Sequence, residues 1–520
     1  MAAAGERIAL YKYKAVFLDS VHRFIPVNEV EYAILQTPFF RRLHEVRQLG
    51  YVYLVFPSAK HSRFEHTLGV MHVASRIAER VLASGGLGYL VNKKPGPEAF
   101  VELARVAGLI HDIGHPPYSH TLERPLENAV RNPEDFSLDP SKVPRVDWGR
   151  VGKYHEFVGS RFSLALARRL SREPPRGVNG EEAAGLVEAA AAAVFGVDLT
   201  GRARQTLDDL GLEEAAVGVV GQIISHRFAD ADRVDYLIRD AHNTGVVFGF
   251  IDLERLIHDI RLERSGDGFS VVYGPKSIPA IEDLYDARFK MYRSVYLHHK
   301  VVGLSVALRQ VVSLLFGSWR EVLPQHLLAC VGRPEDFLNP DVLAGRIGSG
   351  CMYWDDSEFN LMVRGLARLG GQRARWARAL GDSRDLLPIS LVKRPDRIVA
   401  RVVERVGVER AGCAIEQAMD RLGKERIVEE LFRVIAGVEG VHQDSLTERI
   451  GGSSLPTLPG GLYSFYLEST LRTASMPLPY VYAYSHEERE HREAYRYAER
   501  IRGEVAEWIA RHAERAASAC

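Results

Sequence analysis

The stretch from Ala107 to His120 reads AGLIHDIGHPPYSH, and its histidines and aspartate are residues whose types and spacing could do chemistry. His111 and Asp112 are adjacent at the close of an apolar helical run, Leu103, Ala104, Val106, Ala107 and Ile110, which Gly114, Pro116 and Pro117 then end. An imidazole and a carboxylate presented to one point suit a divalent metal with mixed nitrogen and oxygen ligands. His115 and His120 follow on the turn. An isolated HD dipeptide is usually chance, so a metal reading requires further ligands from elsewhere in the chain.

The elements that must position these residues can be read in part. Tyr11 to Leu18 reads as a short strand, and Glu29 to Gln48 as two short helices split at Pro38. YVYLVFP at 51–57 is a β-prone run ended by Pro57. Ser62 and Glu65 have the spacing of a capping box, so a long helix should begin there, with Arg63 and His66 in its first turn. A lone histidine in that place is more often packed or solvated than ligating. A helix over roughly 98–111 carries the HD pair. Residues 128–150 read as a loop or lid, 153–170 as a helix opening on His155, and 181–218 as alanine-rich scaffold helix.

Asp232, Tyr236 and Asp240 then recur at i, i+4 and i+8, with Asp235 and Arg239 beside them. A solvated salt-bridged face is the bland reading, but Val234, Leu237 and Ile238 leave little room for it. Residues 257–273 read as a β-hairpin. A helix follows over 281–300, in which Arg288, Tyr292 and Tyr296 recur every four residues before His298. Such a stripe is more often core than site, yet it also suits a wall bearing phosphate donors. The chain from 301 to 460 reads as helical and arginine-rich. A last amphipathic helix over 485–513, with a second capping-box spacing at Ser485 and Glu488, carries Tyr497, Ile501, Val505, Trp508 and Ile509 on one face.

Composition bounds these readings. The chain has 520 residues, 46% hydrophobic and 26% charged, enough for two or three domains. Lysine plus arginine and aspartate plus glutamate both number 67, so no global charge favours nucleic acid or membrane. Four dispersed cysteines without CxxC suggest neither a zinc knuckle nor a disulfide framework. With no signal-peptide pattern and no run of about 18 apolar residues, a cytoplasmic protein without a membrane role is expected.

Six motifs in order, TPFFRRLHEVRQLG, YVYLVFPSAKHSRFEHTLGV, AGLIHDIGHPPYSH, KYHE, DADRVDYLIRD and ARFKMYRSVYLHH, resemble those of the HD-superfamily dNTP triphosphohydrolases. That family includes bacterial dGTPase-like enzymes and an animal enzyme with a SAM domain. The likeness covers residues 8–310 and implies a mostly α HD-domain helical fold with a small β-hairpin. An HD phosphohydrolase domain over 1–310 is expected, with a helical region over 311–520 for oligomerisation or pocket support. By the resemblance, His66, His111, Asp112 and Asp232 are metal ligands. His115, His120 and His155, with Asp112, are the catalytic candidates. Arg63, Arg233, Arg288 and His298 match phosphate-contacting positions, and Gln48, Tyr236, Asp240, Tyr292 and Tyr296 match those framing sugar and base. Two imidazoles and two carboxylates suit Mn, Fe, Zn, Co or Ni, with Mg allowed on the substrate phosphates.

There are departures. Gln36 and His44 stand where the SAM-domain enzyme has a guanine-reading Asp and an Arg, and Tyr292 stands where it has a His. The expectation is a metal-dependent dNTP triphosphohydrolase, giving deoxynucleoside and triphosphate, in a homo-oligomer that needs no nucleotide to assemble. The alternatives are an HD nucleotidase on mono- or diphosphates, and a non-catalytic binder of nucleotides or single-stranded nucleic acid.

Overall fold

The computed structural model describes residues 10–174, 176–226, 229–266, 268–381, 389–390, 392–393, 395–424, 433–439, 478–484, 491–518 and 520. The chain divides into two compact units, one of residues up to Met291 with Leu315–Met362, the other of Tyr292–Leu314 with Val363–Cys520. A boundary at 310 falls inside the helix His299–Gly317, and the segment 315–362 joins the first unit. The fold is mostly α, with small antiparallel strand sets.

In the first unit Tyr13–Asp19 pairs antiparallel with Arg23–Asn28, so that Leu18 faces Phe24 and Phe17 faces Ile25. Ile25 and Val27 point into the core while Val16, Leu18 and Phe24 are exposed, the period-two alternation of a hairpin with one buried face. Asn28 caps the helix Glu29–Leu35 in a reciprocal box with Glu31. Ser62 and Glu65 form the expected box on the helix Arg63–Val81. That helix packs on Gly96–Ile110, and Tyr154–Arg172 packs on Gly180–Phe195. The alanine-rich stretch resolves into three helices, Gly180–Phe195, Gly201–Asp209 and Ala215–Ile224. The hairpin Ile260–Ser265 with Gly268–Tyr273 is present, as expected.

Three local expectations are corrected. The β-prone run at 51–57 is a 3-10 turn, Gly50–Leu54: Tyr51 stacks on Tyr118 at 4.0 Å, and among the described residues no strand pairs with it to complete a ladder. Residues 128–131 are not loop: His120–Arg131 is a helix, with Pro125 inside it. The helix expected over 281–300 ends at Met291, gives way to a π-helical turn Tyr292–Tyr296, and a new helix starts at His299.

The second unit is closed by its own core. Ile501, Val505 and Ile509 of the helix His491–Ala516 pack with Ile398, Val402, Ala414, Ile415 and Met419. The terminal stripe is therefore buried within its own unit; the side chain of Tyr497 and the spacing at Ser485 and Glu488 lie outside the described residues. The expectation of a wholly helical stretch over 301–460 is corrected here: Ile389–Ser390 and Arg433–Glu439 are strands that pair on either side of Leu478–Tyr484, where β-branched and aromatic residues suit a ladder. The helix His299–Gly317 is long and apolar enough to cross a membrane, but 61% of that window is buried.

The cysteine expectation is overturned. Cys330 pairs with Cys351 and Cys413 with Cys520, over separations of 21 and 107 residues that only folding brings together.

One buried charge cluster makes a pH prediction. Arg105 holds Glu31 (Nη2 to Oε2, 2.8 Å), and Asn28 donates to Glu102 at 2.7 Å. Burial and then the neighbouring Glu31 push the Glu102 carboxyl up to about 8. A folded-state value above the unfolded one means that this contribution is fully present below the ordinary glutamate range and is lost as pH rises through about 8. Glu102→Gln, which keeps an acceptor for Asn28, should flatten that dependence: its Tm should fall less than the wild-type Tm between pH 5 and pH 8.5. Parallel Tm slopes in thermal scans would contradict the assignment.

Candidate functional site

The structure brings His66, His111, Asp112 and Asp232 together from three helices. His66 lies in the first turn of Arg63–Val81, and His111 caps the end of Gly96–Ile110. Asp232 lies in the first turn of Ala231–Thr244, which begins because Asp230 accepts from the Arg233 N–H at 2.6 Å. His66 Nε2 lies 3.1 Å from Asp232 Oδ1, 3.4 Å from Asp112 Oδ2 and 3.3 Å from His111 Nε2. His111 Nε2 lies 3.4 Å from Asp112 Oδ2 and 3.7 Å from Asp232 Oδ1. Donors each about 2.0–2.2 Å from one ion sit roughly 3–3.5 Å apart, so His66, His111 and Asp112 could hold a divalent cation, with Asp232 beside the two imidazoles as a fourth candidate.

The remaining nitrogens support that fit. His66 Nδ1 donates to Asp235 Oδ2 at 2.7 Å, and His111 Nδ1 donates to the Gly108 carbonyl at 2.7 Å. Each ring is thereby fixed with Nε2 toward the cluster, the usual arrangement behind a metal-binding histidine. Asp235 also receives His22 Nε2 at 2.7 Å and Arg239 Nε at 2.9 Å, and Arg239 Nη1 reaches Asp19 at 2.7 Å. A methyl group on Gly69 would collide with Asp235 Oδ1 and Arg239 Nη2, so the close approach requires glycine one turn after His66. Electrostatics follow the geometry. Burial alone would lower the His111 imidazole, but Asp112 and Asp232 outweigh it and hold it well above its ordinary value. Burial would raise Asp112, yet Arg63, His111 and His115 keep it well below the usual carboxylate range.

Beside this lies a second cluster, His115, His120, Glu123 and His155, which could also hold a cation. His115 Nε2 is 3.2 Å from Asp112 Oδ1, and its ring stacks on His155 at 4.0 Å. Glu123 receives His120 Nδ1 at 2.6 Å and His155 Nδ1 at 2.5 Å, leaving Nε2 of both rings for a ligand. Burial, Arg63 and His155 push the His115 imidazole well below its ordinary value, so it is neutral near pH 7. Gly114 lets the HD turn touch the helix that carries His155, since a Cβ there would strike the Gly159 amide and the His155 carbonyl.

The other expected residues divide. Arg63 bonds Asp112 through Nη1, while its buried Nη2 has no hydrogen-bond partner among the described residues. The buried Gln48 side-chain oxygen is likewise unpartnered. Arg288 Nη1 donates to the Tyr236 phenol at 2.6 Å. Asp240 is buried against His61 Nε2 at 2.7 Å. Arg233 turns back on its own helix start, with Nη2 3.1 Å from both Asp230 and the His226 carbonyl. Tyr292, Tyr296 and His298 belong to the second unit, where the two tyrosine rings meet edge-on at 5.0 Å and His298 Nδ1 accepts from the Lys300 N–H at 3.3 Å. The solvated-face reading of 232–240 fails, because Asp235 and Arg239 are fully buried.

Sequence reasoning missed Glu123, His22, Asp19, His61 and Asp356, and it gave Asp235 and Arg239 no role. Their signals were faint: H-x-x-E at His120 and Glu123, and an i, i+4 acid–base pair among apolar neighbours.

Residues 63–191 match the HD domain family. The chain carries an HD domain. It is 34% identical over 288 residues to an uncharacterized protein of Methanocaldococcus jannaschii, covering 55% of this chain and 46% of the relative. It is 28% identical over 298 residues to an uncharacterized protein of Bacillus subtilis, 57% of this chain and 55% of the relative. It is 26% identical over 320 residues to the deoxynucleoside triphosphate triphosphohydrolase SAMHD1 of Homo sapiens, 57% of this chain and 46% of the relative. The chain spans about half the length of the curated relatives it matches. In fold it is similar to a phosphohydrolase of Bacteroides thetaiotaomicron, with TM-score 0.56 at 20% identity, covering 91% of this chain and 100% of the other. The HD domain match ends before Asp232, Asp235 and Asp240, so the third helix completes the cluster from outside it.

The ring-orienting role of Asp235 is testable. Asp235→Asn should weaken cobalt(II) or manganese(II) binding by about 10–100-fold, the usual effect of losing a partner behind a ligand. Asp112→Ala should abolish binding while leaving the circular dichroism spectrum unchanged. Calorimetric titration decides both, and wild-type affinity in either variant would reject the site.

Proposed function

We propose that this HD-domain chain is a metal-dependent nucleotide phosphohydrolase that converts a dNTP and water to a deoxynucleoside and triphosphate. The observation that carries the reading is the convergence of two imidazoles and two carboxylates beside a buried arginine with an unpartnered Nη2. His66, His111, Asp112 and Asp232 would hold one ion of Mn, Fe, Zn, Co or Ni, and Mg could accompany the triphosphate. The bound ion supplies a Lewis acid at phosphate oxygen.

The chain's own groups account for the rest. Arg63 Nη2 offers a donor to a phosphoryl oxygen, and the neutral His115, whose Nε2 faces Asp112, presents its Nδ1 as an acceptor for water. His120 and His155, fixed at Nδ1 by Glu123, each keep Nε2 to pass a proton to the departing 5′-oxygen as its bond to the α-phosphorus breaks. The Gln48 side-chain oxygen can accept from a sugar hydroxyl. The Tyr236 phenol, held by Arg288, offers a wall against which a 2′-hydroxyl would crowd.

Mass spectrometry of products from a mixed dNTP and NTP pool with Mn or Mg is the deciding measurement. Triphosphate and deoxynucleosides are expected; orthophosphate release instead would make the chain a nucleotidase. A tyrosine that clashes with the 2′-hydroxyl disfavours ribonucleotides by about 1–3 kcal/mol, roughly 5- to 150-fold. dATP should therefore exceed ATP in kcat/KM by about that factor, and equal values would remove Tyr236 from sugar selection.

The assembly proposed is a homo-oligomer formed without nucleotide. Gln36 accepts from Arg41 at 3.0 Å, and the His44 ring stacks on Phe64 at 3.6 Å; neither is the carboxylate or guanidinium of a guanine-nucleotide site. Light scattering should give one mass with and without dGTP, and assembly only on adding dGTP would overturn it. A cytoplasmic location is part of the same proposal, and there the two disulfides would require a compartment that preserves them.

A further inference from the structure

We propose that Asp356, far outside the HD domain in sequence, is a positioning residue that sets the geometry of Asp112 through the turn Tyr118–Ser119. The inference rests on the reading of His66, His111, Asp112 and Asp232 as a metal centre, but not on the identity of the substrate.

Tyr118 and Ser119 both have positive φ, 56° and 54°, and Ser119 has ψ −137°, a region that side-chain-bearing residues rarely adopt. Such a turn persists only where its surroundings impose it. Asp356 Oδ1 accepts the Tyr118 N–H at 2.6 Å. Asp356 Oδ2 accepts the Arg47 N–H at 3.3 Å and its Nη1 at 3.1 Å. Ser119 Oγ donates to the Arg47 carbonyl at 2.6 Å and accepts Arg63 Nε at 2.7 Å, and Arg63 Nη1 bonds Asp112 Oδ2. Every member of that relay except Arg47 is under a tenth exposed.

The same short segment grips the other end of the HD turn. Arg42 donates to the Trp354 carbonyl at 2.9 Å, to the Ile113 carbonyl at 2.9 Å and to the His115 carbonyl at 2.6 Å. Trp354 is itself at φ 51°. The segment is stiffened from within: Asp355 accepts the Glu358 N–H at 3.0 Å, and Glu358 accepts the N–H groups of Tyr353 at 2.9 Å and Trp354 at 2.8 Å. The Cys330–Cys351 bridge ties it just upstream. A carboxylate needed only for stability would not have to meet the one turn that orients Arg63.

Asp356→Ala removes the acceptor; Asp356→Asn keeps an oxygen for the Tyr118 N–H. Both are compared with wild type by thermal melting of the apoprotein, cobalt(II) titration with its visible spectrum, and steady-state kinetics on the nucleotide that wild type hydrolyses. Asp356→Ala is expected to bind cobalt about tenfold more weakly with an altered spectrum, and to lose about tenfold in kcat at nearly unchanged KM. Asp356→Asn should stay within about threefold of wild type on all three. If Asp356→Ala does not fold, Ser119→Ala breaks the same relay one step nearer Asp112 and should give the same spectral and affinity change. A wild-type cobalt spectrum and affinity in the folded Asp356→Ala variant, or in Ser119→Ala, overturns the proposal. Absence of nucleotide hydrolysis by wild type would reject the functional reading alone, because the cobalt measurements still decide this one.

Discussion

Burying three charged side chains and an imidazole in one place is the constraint on which the centre of this molecule depends. Asp19, Arg239, Asp235 and His66 form a continuous chain of ionic hydrogen bonds, and Asp235 and Arg239 have no exposure at all. A desolvated carboxylate without partners is strongly unfavourable, so each member is tolerated only because its neighbours are in place. The first hairpin, the helix Arg63–Val81 and the helix Ala231–Thr244 must therefore dock together or not at all. Gly69 permits the approach, and the product is a His66 ring fixed with Nε2 toward Asp112 and Asp232.

A second dependence runs through the HD turn. The helix Gly96–Ile110 ends at His111, and the chain must reverse quickly enough to place His115 over His155 and to start a new helix at His120. Gly114 allows contact with the helix behind, Arg42 gathers the carbonyls of Ile113 and His115, and Tyr118–Ser119 completes the reversal with positive φ at both residues. Glu123, one turn into the new helix, binds the Nδ1 atoms of His120 and His155 together. The histidines form a group because one carboxylate orients two of them and Asp112 meets the third.

The HD domain match over 63–191 is thus smaller than the structure it needs. Asp232 and Asp235 complete the cluster from later in the chain, and Trp354 and Asp356 hold its turn from later still. The second unit, by contrast, satisfies its apolar faces from its own helices and is cross-linked by Cys413–Cys520.

What the sequence determined by itself was local or motif-borne. The capping box at Ser62–Glu65, the apolar run that ends on His111, the hairpin read over 257–273 and the amphipathic stripe through Ile501, Val505 and Ile509 are read from neighbours within a turn or a pleat, and the structure keeps them. The ordered motifs singled out His66, His111, Asp112 and Asp232 across 167 positions, since a ligand set leaves its residue types in the chain wherever the fold takes them. Tertiary structure decided the rest. Tyr51–Phe56 has strand-forming residues but no partner strand among the described residues, and a ring stack on Tyr118 holds it as a tight turn. Asp235 and Arg239 look like any exposed ion pair until the burial of three elements removes the water. The cysteines look unrelated until folding brings each pair to about 6 Å between Cα atoms. Asp356 carries no local signal, because its partners Tyr118 and Arg47 lie more than two hundred residues away, and only packing brings an acceptor to a strained amide.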